Sequence, residues 1–228
     1  MSSETPPVSR DPQAASKLQV LATEHWSLLA TRTLTYTESL GRVNMFLAIL
    51  SGAVIALALI ASADHFGPTF IAVAIFMLAV VFFTGVATVG RLMMLNRDDF
   101  RWVVAMNRIR HAYLALHPEL EPNFMTSPYD DLPGVLQTLG IETGGSRRLG
   151  SVFHTFITLP GMLSVIVAAV GGAMGGLAAA GFGGPPAVVL VAGAAAFAAA
   201  LALLWLWGRG SVRRSGPGDE AHFPSPGR

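Results

Sequence analysis

The sequence predicts an all-α integral membrane protein, with four transmembrane helices arranged as two hairpins and a cytoplasmic helical stalk. Three observations predict it. Four apolar stretches each reach the roughly 20 residues needed to cross the hydrocarbon core of a bilayer. Charged residues make up 13% of the 228-residue chain, about half the share usual in a soluble domain, and mean hydropathy is +0.54. All fifteen basic residues lie outside the apolar stretches and outside the short turns that join them in pairs.

Residues 1–15, rich in Ser, Pro and Thr, predict a disordered cytoplasmic N-terminus. Residues 16–42 lack Pro and hold a single Gly, Gly41, so they predict a cytoplasmic helix running into the first span. Ser16 is its candidate N-cap, and Leu18, Leu21, Trp26, Leu28 and Leu29 form a modest apolar face. The spans are residues 43–63, 70–90, 152–180 and 187–207, with external turns at 64–69 and 181–186. Turns this short force each pair into an antiparallel hairpin. The first span follows a long polar stretch rather than a short basic one, which argues against a cleavable signal peptide.

Charge placement predicts orientation. Four basic residues precede the first span, seven lie between the second and third, and four follow the fourth. The positive-inside rule puts those segments, and both termini, in the cytoplasm. Arg42, Arg91 and Arg209 sit at span ends, Trp205 and Trp207 form an interfacial aromatic anchor, and Asp64 and His65 mark the outer face. The predominance of Arg over Lys, with abundant Ala and Gly, fits a GC-rich bacterial genome and hence a bacterial inner membrane.

Nothing breaks the second helix until Pro118, so residues 91–117 predict a helical extension about 40 Å long at ~1.5 Å per residue. Leu92, Leu95, Asp99, Trp102, Met106, Ile109, Tyr113 and Leu116 follow the 3-4 spacing of a heptad seam. Two placements fit this pattern: a stalk packed on the 16–42 helix, on another subunit or on both, or an amphipathic helix on the inner leaflet. Asp99 sits in the seam, either setting register or solvated at the lipid surface. Arg97, Arg101, Arg108 and Arg110 lie off the seam, placed for an anionic ligand or lipid headgroups. Residues 118–151, with three further prolines after Pro118 and the Asp130-Asp131 pair, predict a solvated loop with one short helical turn and a flexible 144–148 linker. Residues 208–228 predict a disordered cytoplasmic tail.

No Asp, Glu, Lys or Arg lies within a span, which argues against a proton-coupled pump and leaves a pore open. His154, one turn into the third span, reads as an interfacial histidine. Ala168, Gly172 and Gly176 recur at four-residue intervals in the third span, as do Ala192, Ala196 and Ala200 in the fourth. Such faces let helix backbones approach closely, either within the hairpin or between subunits. Pro160-Gly161 predicts a kink.

The chain has no cysteine, which removes disulfides, thiol catalysis and Cys-ligated metal. No catalytic, cofactor-binding or metal-ligating constellation is legible. His111 and His117 fall on roughly opposite helix faces, with Pro118 interrupting, so they predict no metal site with Glu119 and Glu121. The net charge of +1 supplies no field for nucleic acid.

The stretch LLATRTLTYTESLGRVNMFLAILSGAVIALALI, residues 28–60, and NRDDFRWVVAMNRIRHAYLALHPELEP, residues 96–122, resemble a group of actinobacterial-type multi-span membrane proteins, over about half the chain. That resemblance implies the bacterial inner membrane and carries over no activity. The order of N-terminal helix, hairpin and cytoplasmic helix also resembles two-span SLATT-like membrane effector domains linked to nucleotide-signalled defence, by architecture alone. The expected role is non-enzymatic: assembly or partner binding through the cytoplasmic helices, with the lipid bilayer, further copies of the chain or a cytoplasmic protein as partners. The alternative is an oligomeric pore or effector gated through those helices.

Overall fold

A computed structural model describes residues 12–141, 158–213 and 221–226. All regular structure among them is helical: α1 (Pro12–Asp64), α2 (Pro68–Leu116), a 3₁₀ segment (Pro118–Asn123), α3 (Leu132–Thr138), α4 (Leu159–Gly181) and α5 (Pro186–Arg213). Helices α1, α2, α4 and α5 are each long and apolar enough to cross a membrane. The chain divides into a polar unit (Met1–Leu34, Asp99–Thr143, Pro217–Arg228) and an apolar unit (Thr35–Asp98, Gly144–Gly216).

Helix α1 begins at Pro12, earlier than Ser16, which therefore lies inside the helix instead of capping it. Proline suits a first helical position because the N–H it lacks would have no acceptor there. Helix α2 ends at Leu116, where Pro118 opens the 3₁₀ segment. Between α1 and α2, His65 and Phe66 take left-handed conformations, and the Asp64 carboxylate accepts the Phe70 N–H at 2.7 Å. At the start of α4 the Thr158 hydroxyl accepts the Gly161 N–H at 3.3 Å. Pro160 thus falls in the first turn, where it needs no donor, and the expected kink does not arise. His154 and the 144–148 linker lie outside the described residues.

In the apolar unit, Phe46 and Ala53 of α1, Leu78, Val81 and Val89 of α2, Leu163 and Val167 of α4, and Leu204 of α5 share one buried cluster. Gly85 makes room for it: a Cβ there would lie 2.5 Å from Val167 and 2.9 Å from Phe46. Helices α4 and α5 meet along small residues. A Cβ on Gly175 would lie 2.5 Å from the Ala196 Cβ and 3.0 Å from the Ala192 carbonyl oxygen, and one on Gly172 would lie 3.0 Å from the Gly193 oxygen. Gly171 faces Ala200, Gly176 faces Val189, and Ala168 is fully buried. The outer faces stay apolar: Phe76, Phe83 and Leu190 are 71%, 74% and 74% exposed. Large apolar side chains displayed on every long helix are expected where the surrounding solvent is hydrocarbon.

In the polar unit, Leu28 of α1 packs with Met106 and Ile109 of α2, flanked by Leu21, Trp102, Ala105 and Tyr113. Two helical pieces follow α2 instead of the single turn expected, the 3₁₀ segment and α3. The tail also departs from its composition: α5 runs to Arg213, and residues 221–226 are seated against the polar unit.

Gly175→Leu is expected to lower the unfolding temperature of the protein in nanodiscs by several degrees. Overpacking of this kind costs about 1–3 kcal/mol, and each kcal/mol moves a chain of this size by roughly 2–4 °C. Gly52→Leu, where a Cβ meets nothing within 4 Å, is expected to leave that temperature unchanged or raise it.

Candidate peptide-docking site

The Asp130 side chain has no solvent exposure. A carboxylate is tolerated there only when its oxygens are saturated by donors. Arg108 Nε donates to Oδ2 at 2.7 Å, the His222 N–H to Oδ2 at 3.0 Å, and the Phe223 N–H to Oδ1 at 2.8 Å. In return the Asp130 N–H donates to the Phe223 carbonyl at 3.1 Å. Asp131 continues the pattern. Its Oδ1 accepts the Gly134 N–H, capping α3, and the Ser225 hydroxyl at 2.8 Å, while its Oδ2 accepts the Ser225 N–H at 2.8 Å. The Phe223 ring stacks on His111 with centroids 3.9 Å apart and planes 18° from parallel.

The receptor is held from behind by Asn107, itself fully buried. Its Nδ2 donates to the Tyr129 carbonyl at 2.7 Å, and its Oδ1 accepts from Thr138 Oγ1 at 3.0 Å and Arg110 Nη1 at 2.6 Å. Ser127 Oγ accepts the Tyr129 N–H at 3.1 Å. One amide on α2 therefore sets both the loop that carries Asp130 and the helix that Asp131 caps.

Burial by itself would raise the Asp130 pKa. The Phe223 N–H, the Arg108 guanidinium and the His222 N–H outweigh it and hold the carboxyl below its ordinary value. Burial likewise opposes ionisation of Asp131, and donation from the Ser225 N–H and hydroxyl and the Gly134 N–H wins, against the neighbouring Asp130 charge. Chemically, the arrangement can receive a short peptide that bends at its His-Phe step. Two carboxylates take backbone and hydroxyl donors, one backbone carbonyl is read, and an imidazole face takes an aromatic ring.

The residues singled out from sequence are distributed as follows. Leu92 and Leu95 are buried in the apolar unit. Trp102, Met106, Ile109 and Tyr113 face Leu28 and Leu21 of the same chain, and Leu116 is half-buried outside that cluster. Asp99 is neither a bare register residue nor a solvated one: it takes Arg32 Nε at 2.6 Å and Nη2 at 3.1 Å, a two-pronged ion pair. The four arginines have different surroundings. Arg108 is bound to Asp130, Arg110 is buried, Arg101 is exposed, and Arg97 belongs to the apolar unit. Asp130-Asp131, expected to be solvated, is the centre of the receptor. The cap was visible in Asp131-Leu132-Pro133-Gly134, since Asp before a helix-opening Pro is a start signal. The tail donors to both carboxylates lie more than ninety residues away along the chain, beyond any local pattern.

Among the described residues no group of three His, Asp or Glu side chains is placed to hold a metal ion. No family model, no curated protein and no solved structure matches the chain.

Asp130→Asn is expected to speed hydrogen exchange of the His222 and Phe223 amides by roughly 10- to 100-fold, since hydrogen bonds to a charged acceptor contribute about 1.5–3 kcal/mol. His222→Ala is expected to change it far less, because Asp130 takes the backbone N–H of that residue and its ring makes only a tilted contact with Phe223 at 6.3 Å between centroids. The pH dependence has a fixed sign. Both carboxyl pKa values are lowered by seating, so the contribution is complete above the ordinary value of 3.8 and is lost as pH falls below it, through the depressed values. The fluorine resonance of a fluorinated Phe223 should hold its seated position at pH 7 and 5 and move to the free position only in that acid range.

Proposed function

We propose that the chain is a multi-span protein of the bacterial inner membrane, its four spans paired as two hairpins and both termini cytoplasmic, and that its polar unit is a non-enzymatic module for assembly or partner binding. The observation that carries this reading is the receptor at Asp130 and Asp131, which already holds one short segment through backbone donors, a hydroxyl and an aromatic ring. Peptide recognition of this kind gains affinity from main-chain hydrogen bonds and specificity from the side-chain pockets between them. The one-sided distribution of arginines supports the orientation. The α1–α2 seam is filled within the chain, which leaves Val20, Trp26 and Leu34, at 66%, 71% and 70% exposure, as the apolar surface open to another copy or a cytoplasmic protein.

A second reading is favoured by the length of α1 and α2, 53 and 49 residues without a break. Continuous helices transmit a displacement of the polar unit into the apolar one, as a gated pore or effector requires.

The test uses the full-length Phe223→Ala/Ser225→Ala variant, whose own tail is weakened, in nanodiscs with a labelled peptide of residues 221–226. Binding with Kd on the order of 100 µM, abolished by adding Asp130→Asn, is expected. A peptide that binds no better than a scrambled one overturns the partner-binding reading. Light scattering and ion flux on the same sample then separate an assembled pore from a single-chain anchor.

A further inference from the structure

We infer that Arg110 is the centre of a second site, one that takes a soluble phosphate-bearing anion. The inference does not rest on the peptide receptor. Among the described residues Arg32 pairs with Asp99, Arg108 with Asp130, and Glu38 with both Arg42 and Arg91. Arg110 pairs with no carboxylate among them. It is 8% exposed, and its hydrogen bond among the described residues goes to a neutral amide oxygen, Asn107 Oδ1, at 2.6 Å. A guanidinium presents five N–H donors, so most of this one's donors and all of its charge have no protein acceptor there.

A buried cation without a counter-charge is costly, and the groups that act on this one make matters worse. Burial, and then the charge of Arg32, push its pKa down. His25 is held below its ordinary pKa by burial and then by the Arg110 charge. It stacks on Tyr113, one turn beyond Arg110 on α2, with centroids 5.9 Å apart. Among the described residues no carboxylate answers Arg110.

The guanidinium is also pre-set. Asn107 is fully buried and fixed by Tyr129 and Thr138, so the oxygen that orients Arg110 does not move. A planar fork held in place matches a phosphate or carboxylate edge with two parallel hydrogen bonds. Phosphate fits better than carboxylate because its charge, about −1.5 to −2 at pH 7 on a phosphate ester, answers the positive fields of Arg110 and Arg32 together. A soluble source is the one the sequence favours, since Arg110 comes twenty residues after Gly90, where the apolar stretch ends.

The test uses full-length protein in nanodiscs of neutral lipid, with inorganic phosphate against chloride at equal ionic strength and pH. Phosphate at ten times its Kd is expected to raise the unfolding temperature by roughly 3 °C. Arg101→Gln, which removes an exposed arginine of the same helix, should respond as the native chain does, and Arg110→Gln should not respond. Because Arg110→Gln changes a buried position, direct phosphate binding is also measured by phosphorus NMR line width on Arg110→Lys, which keeps the charge and loses the fork, with a tenfold weakening expected. Absence of any phosphate effect on the native chain, or an equal effect in Arg110→Gln, overturns the site. A response to phosphatidylglycerol in the disc with none to inorganic phosphate overturns the soluble ligand in favour of a lipid headgroup.

Discussion

In an α-helix each backbone N–H finds its acceptor four residues back along the same strand, so the backbone is satisfied in any solvent except at the two ends. The organisation of this chain follows from that constraint. Helices α1 and α2 run for 53 and 49 residues because no proline interrupts them, and their side chains are free to answer to different surroundings at either end. In the apolar unit phenylalanines and leucines point outwards and the close contacts fall to Gly85, Gly172 and Gly175, where backbone meets backbone or a methyl group. In the polar unit the same helices carry a narrow apolar seam and ion pairs.

Where a helix ends, the unpaired N–H groups need another acceptor, and these ends are where the informative side chains gather. Thr158 supplies one for α4, Asp64 reaches the start of α2, and Asp131 supplies one for α3. Asp131 does more than cap. Its two oxygens serve the helix and the tail at once, and its neighbour Asp130 is the fully buried carboxylate that accepts two tail amides. The peptide receptor is thus an extension of a helix cap, built from the same acceptor chemistry turned towards a segment distant in sequence.

Charge in the polar unit is arranged with equal economy. Arg32 and Asp99 join α1 to α2, and Arg108 answers Asp130, a carboxylate that has lost all contact with water. Since surface pairs of this kind contribute little and buried unpaired charges cost much, the informative residue is the one left over. Arg110 shares the buried amide of Asn107 with the loop and with α3. The peptide receptor and the unanswered cation therefore lean on a single side chain, and a change at either has a direct route to the other.

Sequence alone determined the features that depend on composition along a single element. These are the four apolar helices, fixed by length and the absence of charge, the long continuation of α2 up to Pro118, and the small-residue faces of α4 and α5. Each is a one-dimensional property, because a helix carries its own hydrogen bonds and its faces repeat at a known interval. Tertiary structure decided whatever depends on two distant segments meeting. Composition marked residues 221–226 as disordered, since proline and serine without apolar neighbours cannot form a core of their own, yet Asp130 and Asp131 supply acceptors that no local pattern announces. The four arginines of α2 looked alike as a string of charges. Only the fold separated Arg108, which meets a carboxylate, from Arg110, which meets none among the described residues, because the sign of a side chain is written in the sequence and its counter-charge is a matter of position in space.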